Sequence, residues 1–379
     1  MTVKLAFTMF KYFPYGGLQR DALRIAELCR KAGAEVEIYA ARLQGEPPAG
    51  VDFTHLPGRG VTHHRQYIDF SRRFQALARE KGFAAVVGFN KMPGLDLYFA
   101  ADPCFLASAR QKGPLARLTG RYRTFAAFEK AVFDPAAETV ILSISELQKR
   151  LFMELYGTPA QRFCDLPPGV PADRLLPPDS GEMGRELRRE LGIRDDELMI
   201  LMVGSGFKRK GVDRALQAVK ALPGEISART RLVVVGDDDL AVYRKMAQRL
   251  KVAERVVFTG GRTDVTRFLA AADLFFHPAR QENTGGGLIE ALAAGLPVLV
   301  TGVCGYSVHI ERAGAGIVTP EPFSQEVLNE ALSRMAAEPE QRRDWRRKAL
   351  DYVSRSDLFS LAEKAAAKII EVAKAKRQG

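Results

Sequence analysis

The chain has 379 residues, enough for two domains of ordinary size, and 46% of the residues are apolar. Its net charge is +11, from 56 Lys and Arg against 45 Asp and Glu. That excess favours an anionic partner such as a nucleotide, a phosphorylated substrate, a membrane surface or nucleic acid, although solvated surface charge would give the same balance. The four cysteines are scattered, which argues against a zinc site or a disulfide framework.

No apolar run approaches the roughly 18 residues that a membrane-spanning helix needs. The first residues are predicted to form a strand and not a signal peptide, because Lys11 interrupts their apolar run early. We therefore expect a soluble or peripheral protein.

Short apolar runs alternate with segments of helical periodicity along the chain, which predicts a parallel α/β fold. A helix from about Leu18 to Lys31 is predicted to follow the first strand. The strands predicted in the first half are Val3–Met9, Glu35–Ala41, Ala84–Phe89 and Thr139–Ser145.

The proline-rich segment Leu166–Pro171 has few donors for a strand ladder, and we interpret it as the hinge between two domains. The predicted domains are residues 1–166 and 170–355, with a C-terminal helix at 356–379 packing back on the first. Two doubly wound, Rossmann-like domains would place a ligand in the cleft between their carboxyl strand ends. The strands predicted in the second half are Leu198–Val203, Leu232–Val235, Val256–Thr259, Leu274–His277 and Pro297–Val300.

Two glycines, Gly16 and Gly17, separate the first predicted strand from the first helix. Glycines let the backbone approach a ligand, and a helix N-terminus offers free N–H groups to an anion. The GxGxxG spacing of dinucleotide enzymes is absent. An ordinary strand-to-helix turn has the same composition, so ligand binding here is a hypothesis.

A second glycine turn, Val203–Gly211, ends the first strand of the second half and carries Lys208, Arg209 and Lys210. Cations beside glycines at a helix start suit a pyrophosphate. The turn lacks the spacing of a Walker A loop. A basic, solvated turn remains the alternative.

The most specific motif is Glu282–Ala291, in which Glu282 and Glu290 flank a run of three glycines. Glu282 is predicted in a loop and Glu290 in the first turns of the following helix. Carboxylates accept hydrogen bonds from paired sugar hydroxyls, so one could hold a hexose and the other a ribose. The alternative is one capping and one surface glutamate.

Asp237-Asp238-Asp239 could be mistaken for a metal-binding acidic cluster. The triplet directly follows a predicted strand and opens a helix, where carboxylates serve as caps and dipole partners. No further acidic or His ligands lie nearby in the sequence, so we favour the structural interpretation and predict no metal site.

The segment Phe105–Val132, here called the docking segment, contains six cations and one acid, Glu129. Apolar residues recur in it at three- and four-residue steps, which is typical of a basic amphipathic helix on an anionic membrane. A core helix with a charged outer face would show the same pattern. The apolar residues are Leu115, Leu118, Tyr122, Phe125 and Phe128.

Together these motifs resemble the retaining GT-B glycosyltransferases of family 4, over nearly the whole chain. The Glu-x7-Glu pair is common to many members and implies the fold and the reaction type. Four further segments match, namely Lys11–Asp21, Gly88–Asp96, Lys210–Arg214 and Val303–Tyr306. The first two are the more particular, and they narrow the resemblance to members that move glucose from UDP-glucose to a heptose of the lipopolysaccharide inner core.

The resemblance implies that Glu282 holds the hexose hydroxyls of the donor and Glu290 the ribose hydroxyls. Arg209 and Lys210 would neutralise the leaving diphosphate. The further donor contacts implied are Gly16, Gly17, Gly206, Arg262, Asn283, Thr284, Gly285 and Gly286.

Asp21 and Asp102 would lie on the sugar or acceptor side. Many members place Asp or His at the donor-sugar edge, and Asn90, Asp96 and Asp102 are all candidates for that position. Gly286 and Gly287 are smaller than the apolar residues expected there, which leaves the choice of donor sugar open.

The resemblance also implies a lipid-anchored lipopolysaccharide acceptor, so the enzyme would work as a peripheral protein on the cytoplasmic face of the inner membrane. The family needs no metal cofactor, and we expect no nucleic-acid partner. The residues expected to face lipid or acceptor are Arg110, Lys112, Arg117, Arg121 and Arg123.

The expected reaction is hexosyl transfer with retention. The sequence offers no convincing nucleophilic carboxylate, so same-face attack is favoured over a covalent two-step route. A nucleotide-sugar epimerase of the same architecture is an alternative enzyme. A basic nucleic-acid-binding protein is a further alternative, although no recognisable nucleic-acid motif is present.

Overall fold

A computed structural model of the chain describes residues 2–14, 16–110, 114–170, 174–177 and 179–378. The chain divides into two compact units, Met1–Pro167 with Ser360–Gly379 and Pro168–Phe359. The division falls within the proline-rich segment and lies within a few residues of the predicted boundaries. Each unit is an α/β domain built on one parallel sheet.

The first unit contains a seven-stranded sheet of order β3-β2-β1-β4-β5-β6-β7, in which each neighbouring pair is parallel. The order reverses direction between β1 and β4, and such switch points are where doubly wound folds bind ligands. Its strands are β1 (Val3–Tyr12), β2 (Ala34–Leu43), β3 (Asp52–His55), β4 (Ala85–Gly88), β5 (Leu97–Phe99), β6 (Val140–Ser143) and β7 (Phe163–Asp165).

The second unit contains a six-stranded parallel sheet of order β10-β9-β8-β11-β12-β13, with its switch point between β8 and β11. Its strands are β8 (Leu198–Val203), β9 (Thr230–Val235), β10 (Val256–Gly260), β11 (Leu274–His277), β12 (Val298–Thr301) and β13 (Gly316–Thr319).

Helices cover the faces of both sheets. In the first unit they are α1 (Gly17–Lys31), α2 (His63–Lys81), α3 (Phe105–Arg110), α4 (Gly120–Phe133) and α5 (Glu146–Tyr156). In the second they are α6 (Ser180–Glu190), α7 (Phe207–Lys210), α8 (Val212–Ala221), α9 (Gly224–Ala228), α10 (Leu240–Arg249), α11 (Val265–Ala271), α12 (Gly286–Ala293), α13 (Ser307–Ala313), α14 (Gln325–Ala337) and α15 (Pro339–Arg355), after which α16 (Leu361–Gln378) returns to the first unit.

The return of α16 is explained by its apolar face. Leu361, Ala365, Ala366, Ile369 and Ala373 are buried in the same core cluster as β1, β4 and α1. Small side chains on this face allow close packing against the sheet and α1. The C-terminal helix therefore closes the core of the domain that the N-terminus begins.

Every predicted strand is present, but the sequence analysis missed β3, β5, β7 and β13. Three of these are edge strands of their sheets, and none of the four exceeds four residues. Strands of three or four residues are too short to leave a clear apolar periodicity in a sequence, whether half-exposed at an edge or, like β5, fully buried.

The docking segment is not the single amphipathic helix that its periodicity predicted. Among the described residues it forms α3, a 3-10 turn at Pro114–Leu118 and α4. The side chain of Thr119 caps α4 by accepting from the Tyr122 N–H, and this cap starts a new helix. Across the described residues, no helix combines the length and hydropathy needed to cross a bilayer.

Candidate active site

Two neighbouring strands of the second sheet, β8 and β11, end side by side at its switch point. The turn after β8 leads into α7, which carries Arg209 and Lys210. The loop after β11 leads through Glu282 into α12. Because the strands are parallel, these residues meet at one edge of the sheet.

Backbone contacts hold the two loops together. Gly211 has a φ of 76°, and a Cβ atom at this position would lie 2.0 Å from the carbonyl oxygen of Pro278. The Arg280 N–H donates to the Arg209 carbonyl at 2.8 Å, and the Arg214 guanidinium donates to the Ala279 carbonyl at 2.9 Å. Only glycine permits this approach at position 211.

The carboxylate of Glu282 lies at the centre of this edge, with a side chain 11% exposed. The Arg209 guanidinium contacts its Oε2 atom at 2.7 Å, and the Lys210 ammonium donates to the same oxygen. Burial alone would raise the pKa of Glu282, but the neighbouring His277 imidazole and the Lys210 and Arg209 charges lower it below its usual range. The structure thus joins three residues that the sequence assigned to the donor.

His277 is part of this cluster and was missed by the sequence analysis. It is the last residue of β11, is 2% exposed, and its Nε2 atom lies 3.7 Å from Glu282 Oε2. Burial and the charge on Lys210 lower the pKa of the imidazole, which keeps it neutral at pH 7. A polar residue at the carboxyl end of a fully buried strand was the available signal.

The glycine run forms the start of α12, as predicted. Gly285 has a φ of 94° and precedes the first helical residue, Gly286. Glu290 follows on the helix and is half-buried. The Tyr306 N–H donates to the Thr284 carbonyl at 2.8 Å, and residues 282 and 304 form a backbone bridge. The segment Val303–Tyr306 therefore supports the loop that carries the glutamate and Asn283.

Two carboxylates of the Asp237–Asp239 triplet accept hydrogen bonds from backbone N–H groups, which agrees with the structural interpretation. Asp238 accepts from the Phe207 N–H, and Asp239 caps α10 by accepting from the Ala241 N–H at 3.1 Å. Within the described part of the chain, no cluster of His, Cys, Asp or Glu has the composition of a metal site.

Arg262 follows β10 at the same edge of the sheet and forms a two-pronged ion pair with Asp264, at 2.7 and 2.8 Å. This pairing orients the loop after Gly260. Gly206, with a φ of 77°, precedes α7 and completes the turn after β8.

In the first unit, Asn90 and Asp102 follow the neighbouring strands β4 and β5. Asn90 Nδ2 donates to Asp102 Oδ2 at 3.0 Å, and Asn90 Oδ1 accepts from the Phe10 N–H at 2.8 Å. These contacts fix both side chains at the carboxyl edge of the sheet, beside the end of β1.

Asp96, the third candidate for the donor-sugar edge, lies elsewhere. It precedes β5 at the opposite, amino edge, where its carboxylate accepts from the Val86 N–H at 2.8 Å and pairs with Lys376 of α16. The parallel topology separates Asp96 from Asn90 and Asp102, so its role is to join α16 to the sheet.

Gly16 and Gly17 begin α1 directly after β1, as predicted. The Gln19 side chain turns back and donates to the Lys11 carbonyl at 2.7 Å, which braces this turn. Asp21 lies one turn into the helix and is half-buried, and burial raises its pKa to about 6 against the lowering effect of Arg20.

In the docking segment the acidic residue is buried and basic residues are exposed, a difference that counting charges in the sequence could not show. Its one acid, Glu129, is fully buried and pairs with Lys91 at 2.5 Å, while also accepting from the Phe105 and Leu106 N–H groups. The aromatic side chains were expected on the lipid face, but Phe128 is buried and Phe125 packs against the same core.

Among the described residues of the docking segment, the exposed ones include basic residues and two leucines. Leu115 and Leu118 are 78% and 67% exposed. Arg117, Arg121 and Arg123 are also exposed. Lys112 lies outside the described residues, and for Arg110 the structure describes only the backbone, at the end of α3.

Comparison with known proteins gives a consistent assignment. Residues 184–351 match the family of glycosyl transferases group 1. The lipopolysaccharide glucosyltransferase WaaG of Escherichia coli K12 is 42% identical over 363 residues, which cover 96% of this chain and 97% of that protein.

A crystal structure of WaaG superposes with a TM-score of 0.88 and covers 96% of this chain and 99% of that one. The Anabaena protein HepE, solved with UDP-glucose, is 17% identical with a TM-score of 0.73, covers 97% of this chain and 99% of its own, and shares the fold. With two Rossmann-like domains and this degree of identity, the chain belongs to the glycosyl transferases group 1 family and has the GT-B fold.

Proposed function

We propose that the chain is a retaining glucosyltransferase that moves glucose from UDP-glucose to a heptose of the lipopolysaccharide inner core. The observation that carries the proposal is the 42% identity to a lipopolysaccharide glucosyltransferase over 96% of the chain. The cluster of Glu282, Arg209 and Lys210 at the switch point of the second sheet supports it.

Each group at that edge suits one part of a nucleotide sugar. Arg209 and Lys210 present fixed positive charge to the diphosphate, and the N-terminus of α12 adds backbone N–H groups. Glu282 accepts hydrogen bonds from glucose hydroxyls and Glu290 from the ribose. His277 lies 3.7 Å from Glu282, and because its pKa is lowered by burial it adds no positive charge there at pH 7.

The proposed reaction takes place on one face of the sugar. The bond from the anomeric carbon to the diphosphate oxygen breaks while the acceptor oxygen bonds to the same face of that carbon. The departing phosphate oxygen takes the acceptor proton, and Arg209 with Lys210 stabilises the charge that develops on the diphosphate. Because these side chains supply the compensating charge, we propose that no metal cofactor is required.

On the first unit, we propose that Asp102 and Asp21 act on the acceptor side. Asp102 is held by Asn90 with one carboxylate oxygen engaged, which orients it toward the edge where a substrate hydroxyl would approach. Asp21, with a pKa of about 6, is able to hold or release a proton near neutral pH.

The donor is tested by thermal unfolding with a panel of UDP-glucose, UDP-galactose, GDP-mannose and ADP-glucose. A ligand that binds only the native state raises the midpoint, so UDP-glucose should give the largest shift. Transfer assays with and without a heptose-terminated acceptor, in the presence of EDTA, should yield product only with the acceptor. If only GDP- or ADP-sugars raise the midpoint, the assignment of UDP-glucose as the donor is wrong. Turnover of the sugar nucleotide without acceptor would favour an epimerase.

We further propose that the docking segment binds the anionic cytoplasmic face of the inner membrane, because a lipid-anchored acceptor requires work at a surface. Arg117, Arg121 and Arg123 provide attraction of about 1 kcal/mol each close to lipid. Leu115 and Leu118 add shallow apolar burial. Glu129 does not oppose this attraction, because its charge is buried and paired.

A variant with Glu at positions 117, 121 and 123 should remain folded and lose sedimentation with anionic vesicles. UDP binding should be unchanged, because the donor cluster belongs to the second unit. If this variant sediments as well as the parent, the segment is only a charged surface.

A further inference from the structure

A second exposed element lies in the first unit, where it comprises the end of the loop between β3 and α2 and the first residues of α2. Residues 58–65, here called the tip loop, contain Arg59, Val61, His63 and Arg65 and no acid. Val61 is 94% exposed, and both arginines are exposed. Val61 therefore lies exposed between two cations in the sequence.

The exposed apolar residues of the chain are not spread evenly. Among the large apolar side chains that the structure describes, Val61, Leu115 and Leu118 are the three most exposed, at 94%, 78% and 67%. All three belong to the first unit. Single exposed apolar residues need no explanation, but the three most exposed ones in one region do.

The tip loop and the docking segment are neighbours. The ring of His64 approaches Gly120, the first residue of α4, so closely that a Cβ at Gly120 would lie 3.2 Å from its Nε2. Tyr67 of α2 packs against Phe125 of α4, with ring centroids 6.3 Å apart. Val61 is three residues from His64 and Leu118 is two from Gly120, so each apolar tip lies within about 11 Å of backbone from this contact.

Both elements also lie at the edge of the sheet that carries the acceptor-side residues. The tip loop follows β3, and the docking segment follows β5, so both leave the carboxyl edge of a parallel sheet. Phe10 at that edge stacks on Tyr67 at 4.2 Å and donates its N–H to Asn90. One surface therefore adjoins the residues that we place beside the acceptor.

We infer that the tip loop is a second membrane-docking element, with Val61 inserting into the headgroup region of an anionic bilayer and Arg59 and Arg65 contacting lipid phosphate. The inference rests on the membrane docking proposed above. A second contact on the same surface restricts the tilting of a domain that a single contact would allow. This orientation would bring the carboxyl edge of the sheet to the lipid-anchored acceptor.

The test compares Val61→Asp with the parent in sedimentation against vesicles of phosphatidylglycerol and phosphatidylethanolamine. Loss of one buried valine and addition of a negative charge should weaken partitioning about tenfold or more. Val242→Asp is the matched control, since Val242 is a 55% exposed valine on α10 of the other unit and its variant should bind like the parent. Arg59→Glu combined with Arg65→Glu should weaken binding as well, and more strongly at low salt.

A spectroscopic readout reports insertion directly. The chain has one tryptophan, Trp345, which is 6% exposed, so its emission should not respond to lipid. The emission of Val61→Trp should shift to the blue with anionic vesicles and not with zwitterionic ones.

Four outcomes decide the inference. A weaker Val61→Asp with an unchanged Val242→Asp supports it. Equal binding by parent and Val61→Asp overturns it and leaves the docking segment intact as the only contact. A parent that binds no anionic vesicle overturns both this inference and the proposed membrane docking. A change in molecular mass of Val61→Asp by light scattering would assign the surface to a second copy of the chain and overturn a lipid contact.

Discussion

The carboxyl edges of the two sheets are built from the same topology but carry different chemistry. At the second sheet, Glu282, Arg209 and Lys210 form a compact cluster of opposite charges over a buried neutral His277. At the first sheet, Asn90 and Asp102 form a hydrogen-bonded pair that is anchored to the backbone of β1. The difference fits the two roles proposed above, because a diphosphate needs fixed cations and a sugar hydroxyl needs an oriented acceptor.

The two edges also differ in what a substitution should cost. Removing Glu282 leaves the charge of the mostly buried Lys210 uncompensated, whereas removing one partner of an amide–carboxylate pair leaves a single hydrogen bond unmade. The second sheet should therefore be the more sensitive edge. Four experiments test this contrast.

The largest effect is expected for Glu282→Gln. The amide cannot balance both Arg209 and Lys210, and it donates where the sugar hydroxyls also donate, so kcat/KM should fall by about 100- to 1,000-fold. Steady-state kinetics with UDP-glucose checks this. Glu190→Gln is the control, because Glu190 pairs with Arg267 in the same unit at 2.5 Å but is exposed. Equal kinetics for both variants would remove Glu282 from the donor site.

Lys210→Ala should lower kcat about 100-fold with a smaller change in the Kd for UDP. The charge it compensates grows as the diphosphate departs, so its contribution is largest in the transition state. Lys208→Ala, two positions away on the same single-turn helix and exposed, should keep full activity. Rapid-quench turnover and calorimetry of UDP binding separate the two quantities. A loss confined to UDP affinity would show that Lys210 only binds the donor.

On the first sheet, Asp102→Asn should raise the acceptor KM about tenfold and leave the Kd for UDP unchanged, because one oriented acceptor oxygen is lost. Asp96→Asn is a matched comparison within the same domain. Its carboxylate joins β4 to Lys376, so this variant should lose stability without changing the KM of the folded enzyme. If Asp96→Asn changes the acceptor KM and Asp102→Asn does not, the assignment of the two aspartates is reversed.

The last prediction concerns the free energy of unfolding and not the kinetics, and it rests on Asp21. Burial raises its pKa from 3.8 to about 6, so between these values the folded chain retains a proton that the unfolded chain has released. The free energy of unfolding should therefore fall as the pH rises from about 4 to 6, and Asp21→Asn should remove that loss. At pH 7.5 the variant should be more stable than the parent by about 1–3 kcal/mol, and the gap should close near pH 4.

Urea unfolding at a series of pH values checks the Asp21 effect. Glu27→Gln on the same helix is the control, since Glu27 is paired with Lys31 and its pKa is lowered. The free energy of unfolding of Glu27→Gln should not exceed that of the parent at any pH. If the free energies of unfolding of Asp21→Asn and the parent differ by the same amount at all pH values, the difference comes from packing and not from ionisation of Asp21.

Local patterns in the sequence were enough for the fold class and for the secondary structure around most of the candidate residues in the second unit. Alternating apolar strands and helical segments predicted a parallel α/β chain, and the Glu282–Ala291 segment was placed correctly as a loop that opens a helix. These signals are local, since strand periodicity, glycine turns and helix starts depend on residues close together in the chain. The resemblance to family 4 rested on the same segments.

Other features depended on contacts between distant residues, which only the tertiary structure supplies. His277 and Asp96 differ in role because the parallel sheets place one at a carboxyl edge and the other at an amino edge. In the sequence, Glu129 reduces the net positive charge of the docking segment. In the structure it is buried and paired with Lys91, 38 positions away, so it does not reduce the positive charge of the surface. The tip loop is remote in sequence from α4, and only the contact between His64 and Gly120 shows that the two are neighbours. The periodicity of a sequence predicts which residues are buried. The order of the strands in the sheet decides which charged residues come into contact.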